Sequence, residues 1–350
     1  MKKNILRINI LLTACLSFFI QPALACTGFG AITQSGTIIG KNRDYFYVPQ
    51  KFGRVIPQKK FNHWYGNPYH HSNTFYALMS AESVSMGVNQ HGLTAIEEDT
   101  IRPQHAQNAK EYKQIQQQEG TPDGLVLYGV LQNFNSIDEM TPYLSAIFTN
   151  AAPDFYQFSD ANKILTVEVG NKSTFTYHIL SKKQDYFAHT NTYLSPEYNE
   201  LNDLIPNHEK VFISSQNRLS RINYLLSHAT EFNINNASSW FMNTQSDTSE
   251  CLNTSLFRSD LHGVTSINKN IPNDKAAGTV ATMIVNNTGD FKSSQIYVMM
   301  IDSIIVQSDG KQLIKYNALN TSLENLFSGS QPKFVEHEFV RNPPVGGVCN

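Results

Sequence analysis

The sequence predicts one domain of the α+β class, with strands and helices arriving in blocks rather than in strict alternation. Three observations carry this. Short alternating or β-branched runs recur in groups between Thr27 and Asp302. Helix-like stretches fall in two separate groups, around 121–144 and 214–226. No repeat, no Gly/Ser-rich linker and no break in composition divides the chain.

The first 25 residues read as a targeting segment. Lys2, Lys3 and Arg7 form a positive start, Ile8 to Ile20 a short, mostly apolar run, and Pro22, Ala23 and Ala25 a small-residue cleavage site. This is the layout of a secretory signal peptide, too short to span a membrane. The expected organisation is therefore a signal peptide over 1–25 and a single domain over 26–350, exported to a periplasm or to the exterior. No later run approaches the roughly 20 apolar residues of a membrane span.

Cleavage after Ala25 leaves 325 residues (350 less 25), enough for a large core. They carry 24 Lys+Arg (27 less Lys2, Lys3 and Arg7) against 29 Asp+Glu, a net of −5. A mildly acidic chain argues against a nucleic-acid partner and points to a small-molecule substrate, with a homo-oligomer left open.

That cleavage also makes Cys26 the first residue. Its thiol is a nucleophile and its new α-amino group can be the base, so one residue supplies two catalytic parts. Cys15 leaves with the signal, and Cys26, Cys251 and Cys349 remain, an odd number for an exported protein. Cys251 and Cys349 are then available to pair with each other in an oxidising compartment, leaving Cys26 free. Three other readings of Cys26 stand beside this one: a small residue that merely follows a cleavage site, half of a disulfide, or the lipidated cysteine of a lipoprotein or binding module. A lipobox usually has Leu at the −3 position; here Ala23 stands there, with Leu24 at −2.

Thr27 to Thr33 reads as a strand, Gln34-Ser35-Gly36 as a turn and Thr37 to Lys41 as a second strand. Cys26 lies nine residues before Ser35 and Asp44 nine after it, so a hairpin centred on Ser35 sets the two opposite each other. Lys41-Asn42-Arg43-Asp44 then forms a charged cluster beside the thiol. A carboxylate there orients the nucleophile and holds the amine; Lys41 or Arg43 favours the thiolate or holds an anionic substrate group. The α-amine and thiol titrate at about 8 and about 8.5, so small shifts suffice to activate them.

Further strands are expected over Ser83–Val88 and Leu93–Glu97 around an Asn89–Gly92 turn, with the acidic Glu97-Glu98-Asp99 closing the second. The polar 112–120 segment reads as an exposed loop or lid. Thr121-Pro122 starts a helix, and Ser136-Ile137-Asp138-Glu139 is a capping box for the next, which ends near Leu144. Strands follow over Ile164–Val169 and Phe175–Leu180, then a short one before the polar His189-Thr190-Asn191-Thr192 loop. Ser214 and Ser215 read as the cap of a helix whose apolar side holds Leu219, Ile222, Leu225 and Leu226. That places Arg218 in the first turn, where a cation opposes the helix dipole at about 0.3–1 kcal/mol unless an anion faces it. Asp247–His262 reads as irregular, Thr279–Asn286 and Gln295–Asp302 as strands, and the Pro343–Gly347 tail as loop.

Other patterns are set aside. His63, His70 and His71 have no close Cys or carboxylate at metal-ligand spacing, and no metal is expected. Gly28-Phe29-Gly30 is followed by no helix, so it is not a phosphate loop, and the chain has no Gly-x-Ser-x-Gly elbow.

Cys26-Thr27-Gly28 after a cleavage site and Gly40-Lys41-Asn42-Arg43-Asp44 together resemble the start of the choloylglycine hydrolase and penicillin V acylase group. The likeness is closest to the branch with the acyl-coenzyme A:6-aminopenicillanic acid acyltransferases, the C45 type. Val88-Asn89-x-x-Gly92-Leu93, Thr190-Asn191, Ser214-Ser215-x-x-Arg218 and Thr279-Val280-Ala281 continue the pattern in order. The resemblance implies an N-terminal nucleophile hydrolase with a four-layer αββα sandwich. It implies Cys26 as nucleophile and base, Asp44 at the thiol and amine, Asn191 as an oxyanion donor, and Arg218 paired with Asp44 or the nucleophile. Lys41 stands where relatives commonly carry arginine. Asp99 is the positional match to an asparagine that supplies a second oxyanion contact in relatives.

The function expected is hydrolysis of a linear amide C–N bond in an N-acyl compound through a thioester on Cys26, with no metal or cofactor. A bile-salt conjugate, a phenoxyacyl β-lactam, an N-acyl homoserine lactone, an N-acyl amino acid and a fatty-acyl amide are all candidate substrates. Acyl transfer of the C45 type is an alternative. So is a dipeptidase of the related C69 type, in which the Glu97–Asp99 segment would hold a substrate amino group.

Overall fold

A computed structural model of the chain describes residues 26–59, 71–80, 83–100, 120–171, 174–203, 208–242, 256–260, 266–268 and 273–341. The expected signal peptide, Cys251, Cys349, His63, His70, residues 112–119 and the 343–347 tail lie outside them.

Two antiparallel sheets form the middle of the molecule. The first runs β10 (Tyr186–His189), β1 (Thr27–Ile32), β2 (Thr37–Tyr47), β13 (Asn273–Asn287), β14 (Gln295–Val306), β15 (Gln312–Ser322) and β16 (Val335–Arg341). Short β11 (Ser259–Asp260) and β12 (Ser266–Asn268) pair with β13 and β14. The second sheet is a meander of β3 (Gln50–Val55), β4 (Phe75–Ser80), β5 (Ser83–Asn89), β6 (Thr94–Asp99), β7 (Asp154–Ser159), β8 (Ile164–Val169) and β9 (Phe175–Leu180).

The period of two along each strand explains why there are two sheets and four layers. Ile39 of β2, Met283 and Val285 of β13, Leu78 of β4, Met86 and Val88 of β5 and Ile96 of β6 share the core between the sheets. The opposite faces of these strands point outward, a bulge in the β4–β5 pairing turning Val84 to that side although it lies two residues from Met86. Phe75, Ala77, Val84 and Ala95 pack under α1 (Asp123–Asn133), α2 (Ile137–Met140) and α3 (Leu144–Phe148). After the short α4 (Asn199–Asp203), the long α5 (His208–Ser227) and α6 (Ile234–Phe241) cover the other outer face. There Ile222, Leu226, Ile234, Ala237 and Phe241 meet Phe29, Ile38 and Ile284. This is the αββα sandwich that the resemblance implied.

Two motifs turn out to be structural devices. Asn89 accepts the backbone N–H groups of His91 and Leu93 and donates to the carbonyls of Leu131 and Phe134, so it closes the β5–β6 turn and caps the end of α1. Gly92 completes that turn at φ +83°, the left-handed region where glycine carries no steric cost. Ser136 caps α2 through the Glu139 N–H.

Three expectations are corrected. The β1–β2 register pairs Thr27 with Asn42 and Ile32 with Thr37, so the turn is Thr33–Gly36 and its centre falls between Gln34 and Ser35. A turn of even length shifts the register by one, and Arg43 rather than Asp44 continues the pairing opposite Cys26. The helix carrying Arg218 starts at His208, not at Ser214, so Arg218 lies in its middle and the dipole argument lapses. β13 and β14 also run well beyond the expected 279–286 and 295–302.

Candidate active site

The first sheet delivers Cys26 at the open end of β1. Its side chain is 1% exposed, and its Sγ lies 3.9 Å from the backbone carbonyl of Asp44. The side chain of β1 that follows the thiol inward must be absent: a Cβ on Gly28 would stand 1.7 Å from Glu98 Oε1 of β6. Glycine at that position lets the two sheets close and leaves room for the Glu98 carboxyl against the β1 backbone.

Arg218 reaches the same place from α5 and is fully buried. One of its terminal nitrogens, Nη1, donates to the carbonyl oxygen of Cys26 and, at 2.8 Å, to Thr27 Oγ1. The other, Nη2, donates to Asn191 Oδ1 at 2.9 Å. A guanidinium only donates, so this contact fixes the oxygen end of the carboxamide on Arg218 and turns its nitrogen the other way. Asn191 Nδ2 gives one hydrogen to the carbonyl of Asp99 at 2.6 Å. Its second hydrogen is the one a developing oxyanion can take.

The loop that carries Asn191 leans on α5. Ser215 Oγ receives the Asn191 N–H at 3.1 Å and lies within hydrogen-bond distance of the Thr190 and Thr192 hydroxyls. Inside a helix the backbone of Ser215 is already paired, which leaves its hydroxyl for this purpose.

Asp44 is 1% exposed, and its carboxylate is held by residues the sequence reading did not assign. Thr279 Oγ1 donates to Oδ1 at 2.7 Å, and Arg258 Nη1 stands 3.8 Å from Oδ2. The Thr279 N–H also donates to the Arg258 carbonyl, and the Arg258 N–H donates to Thr279 Oγ1, both at 2.9 Å, which holds the two residues together beside Asp44. Arg218 acts on Asp44 only through its charge, behind Arg258. Asn42 is a strut: it donates to the carbonyls of Phe241 and Leu256 and accepts from Thr282.

Lys41 is fully buried and pairs with Glu97 at 2.8 Å. Burial pulls its pKa down, but the charges of Cys26 and Glu97 outweigh this and the net direction is up. Arg43 lies over the Tyr45 ring at 4.6 Å, and its Nε and Nη1 have no hydrogen-bond partner among the described residues. Carboxylate oxygens of Glu97, Asp99 and Asp123 lie within 4.8 Å of one another, all buried. The ammonium of Lys41 holds Glu97 and the charge of Arg43 acts on both Glu97 and Asp123, but burial and the repulsion from Asp99 outweigh these cations and leave Glu97 and Asp123 raised.

Burial dominates the titration of the site. It pushes the Cys26 thiol up to about 12, against the pull of Lys41. It raises Asp44 to about 6 against Arg258, Asp123 to about 6 with help from Asp99, and Glu98 to about 7 against His189. Burial lowers Arg218 to about 10, with Arg258 adding repulsion, which still leaves it charged at neutral pH. With Cys26 in mid-chain, then, the thiol is a poor nucleophile.

The structure thus gathers Cys26, Asn191 and Arg218 by direct contact and Asp44 by its carbonyl. Lys41, Arg43 and Asp99 join the adjacent charged group. Sequence reasoning missed Glu97 as the partner of Lys41, Arg258 and Thr279 as the partners of Asp44, and Glu98 behind Gly28. The signal for the acids was present: three consecutive acidic residues end an otherwise apolar strand.

The family model described as acyl-coenzyme A:6-aminopenicillanic acid acyl-transferase matches residues 32–265 of this chain. No curated protein matches it. Among solved structures, penicillin V acylase from Agrobacterium tumefaciens superposes with a TM-score of 0.46 at 14% identity, over 79% of this chain and 83% of its own. A variant of conjugated bile acid hydrolase from Clostridium perfringens gives 0.49 at 14% identity, over 89% and 97%. The Caenorhabditis elegans ortholog of N-acylethanolamine-hydrolyzing acid amidase gives 0.43 at 11%, over 76% and 94%.

Proposed function

The chain belongs to the acyl-coenzyme A:6-aminopenicillanic acid acyl-transferase family, and from that premise we propose that it cleaves a linear amide C–N bond of an N-acyl compound with the Cys26 thiol as nucleophile. Export and removal of residues 1–25 are part of the proposal, since they create the α-amine. That amine takes the thiol proton, which a buried thiol at about 12 does not otherwise release. The thiolate attacks the acyl carbon, the carbonyl oxygen becomes an oxyanion, and the free Nδ2 hydrogen of Asn191 meets it. The C–N bond then breaks, the amine leaves with the proton, and water clears the thioester.

One observation carries this reading: Arg218 binds both the carbonyl oxygen of Cys26 and the carboxamide oxygen of Asn191, so one buried cation ties nucleophile and oxyanion donor into a fixed relation. The experiment is hydrolysis of a panel of N-acyl amino acids and related amides by processed protein and by Cys26→Ala. Loss of turnover with an unchanged fold is the expected result, and full activity in the variant would sink the mechanism.

The family's own description favours a second reading, in which another amine rather than water takes the acyl group. Adding an acceptor amine then diverts product from acid to new amide without changing the release of the first amine.

A further inference from the structure

We propose that Glu168 and His189 are positioning residues for this reaction: they form a clamp across the gap between the two sheets that fixes the direction of the Asn191 carboxamide. The inference rests on the reading of Asn191 as oxyanion donor.

Glu168 belongs to β8 of one sheet and His189 ends β10 of the other. Both are buried, at 6% and 1% exposure. Glu168 Oε1 accepts from His189 Nε2 at 2.8 Å and from the Leu194 N–H at 2.6 Å, and Oε2 accepts from the Ser195 N–H at 2.8 Å. His189 Nδ1 meets the carbonyl oxygen of Thr190 at 2.5 Å.

These partners decide the protonation states. A backbone carbonyl can only accept, and a carboxylate receiving donors on both oxygens is ionised. Both ring nitrogens of His189 must therefore donate, which makes it an imidazolium. The directions of titration agree. Burial pulls His189 down, but the Glu168 bond and charge carry it upward; burial raises Glu168, and the His189 bond and charge carry it downward. The groups facing the ring are Phe155 of β7 at 4.0 Å between centroids, Phe187 at 5.8 Å, and the charge of Glu98 from β6.

The clamp grips the 190–195 segment at three points: the carbonyl of Thr190 and the N–H groups of Leu194 and Ser195. Asn191 lies between them, with Ser215 holding its other side. A buried ion pair adds little stability over packed apolar side chains, whereas it does fix geometry. Here the geometry it fixes is that of the residue whose second Nδ2 hydrogen must aim at the reacting oxygen. A misplacement of about 1 Å at such a group can cost about 10²-fold in rate.

The test reads Asn191 itself as well as turnover. Processed protein labelled with ¹⁵N-asparagine gives a side-chain amide resonance for Asn191, assigned by its disappearance in Asn191→Ala. In Glu168→Gln that resonance moves, kcat falls at least about tenfold with KM within about twofold, and the alkaline limb of kcat moves to lower pH because the carboxylate that keeps His189 charged is gone. An unmoved resonance with unchanged kcat in folded Glu168→Gln overturns the clamp, as does lost activity with the resonance unmoved. Should Glu168→Gln not fold, His189→Gln keeps the two backbone bonds of Glu168 and is read by the resonance and by kcat and KM alone, with the same outcomes. A moved resonance in a protein whose wild type hydrolyses no amide supports the clamp and counts against the amidase reading instead.

Discussion

Arg218 Nη2 lies 2.9 Å from Asn191 Oδ1, and this contact, not the loop alone, determines that the nitrogen end of the carboxamide turns away from the guanidinium toward the carbonyl of Asp99. Lysine in its place keeps the charge but loses the fork that also spans the carbonyl oxygen of Cys26 and Thr27 Oγ1. Arg218→Lys is expected to lower kcat by at least about tenfold, and Asn191→Ala by about 10²–10³. Steady-state kinetics on one N-acyl substrate checks both; a Lys variant with wild-type kcat contradicts the tie.

The Lys41–Glu97 pair is buried on both sides. Removing one partner leaves the other buried without its hydrogen-bonded counter-charge, at a cost of about 3–5 kcal/mol, while removing both is far milder. Lys41→Met should therefore lower the melting temperature sharply, and adding Glu97→Gln should restore much of it. Additive losses in that double-mutant cycle would show that the two do not act as a pair.

Stability should fall as pH rises across neutrality. An acid with a raised folded-state pKa holds more protons folded than unfolded between its two values, so its stabilising contribution is lost as pH rises through the folded value. Asp44, at about 6, and Glu98, at about 7, both act this way above about pH 4. His189, a base raised by Glu168, adds the same sign as pH rises through its own folded value. Glu168, an acid lowered by His189, acts only in the acid range. Melting temperature measured from pH 5 to 8 should fall in the wild type and fall less in Glu98→Gln. A rise over that range contradicts the burial argument.

The uncleaved chain should hold an unreactive thiol. With Cys26 pushed up to about 12, roughly one molecule in ten thousand carries a thiolate at pH 8. Iodoacetamide should label Cys26 far more slowly in the uncleaved chain than in processed protein, read by intact mass. Equal rates would remove the need for the α-amine.

What the sequence made legible follows from how local each signal is. Ile164–Val169 and Phe175–Leu180 are strands from end to end as expected, because β-branched residues and turn residues mark them directly. Cys26, Asn191 and Arg218 were legible because their short motifs keep a fixed order along the chain. The start of α5 was not: Ser214-Ser215 has the chemistry of a cap, but the turns from His208 are already helical, and Ser215 uses its hydroxyl on the Asn191 loop. The hairpin register was misplaced by one residue because only the folded turn shows that four residues close it. Glu168 and Arg258 sit in unremarkable sequence and only packing between layers brings them to the site, while His189 stands in the polar loop with Asn191 but its partner is set by that packing.

The central claim is that Cys26 works as a free N-terminal nucleophile, and the mass of the exported protein tests it most directly. The account predicts an intact mass and N-terminal sequence that begin at unmodified Cys26, 25 residues shorter than the 350-residue chain. A chain that still carries Ala25, or a diacylated Cys26, would contradict it.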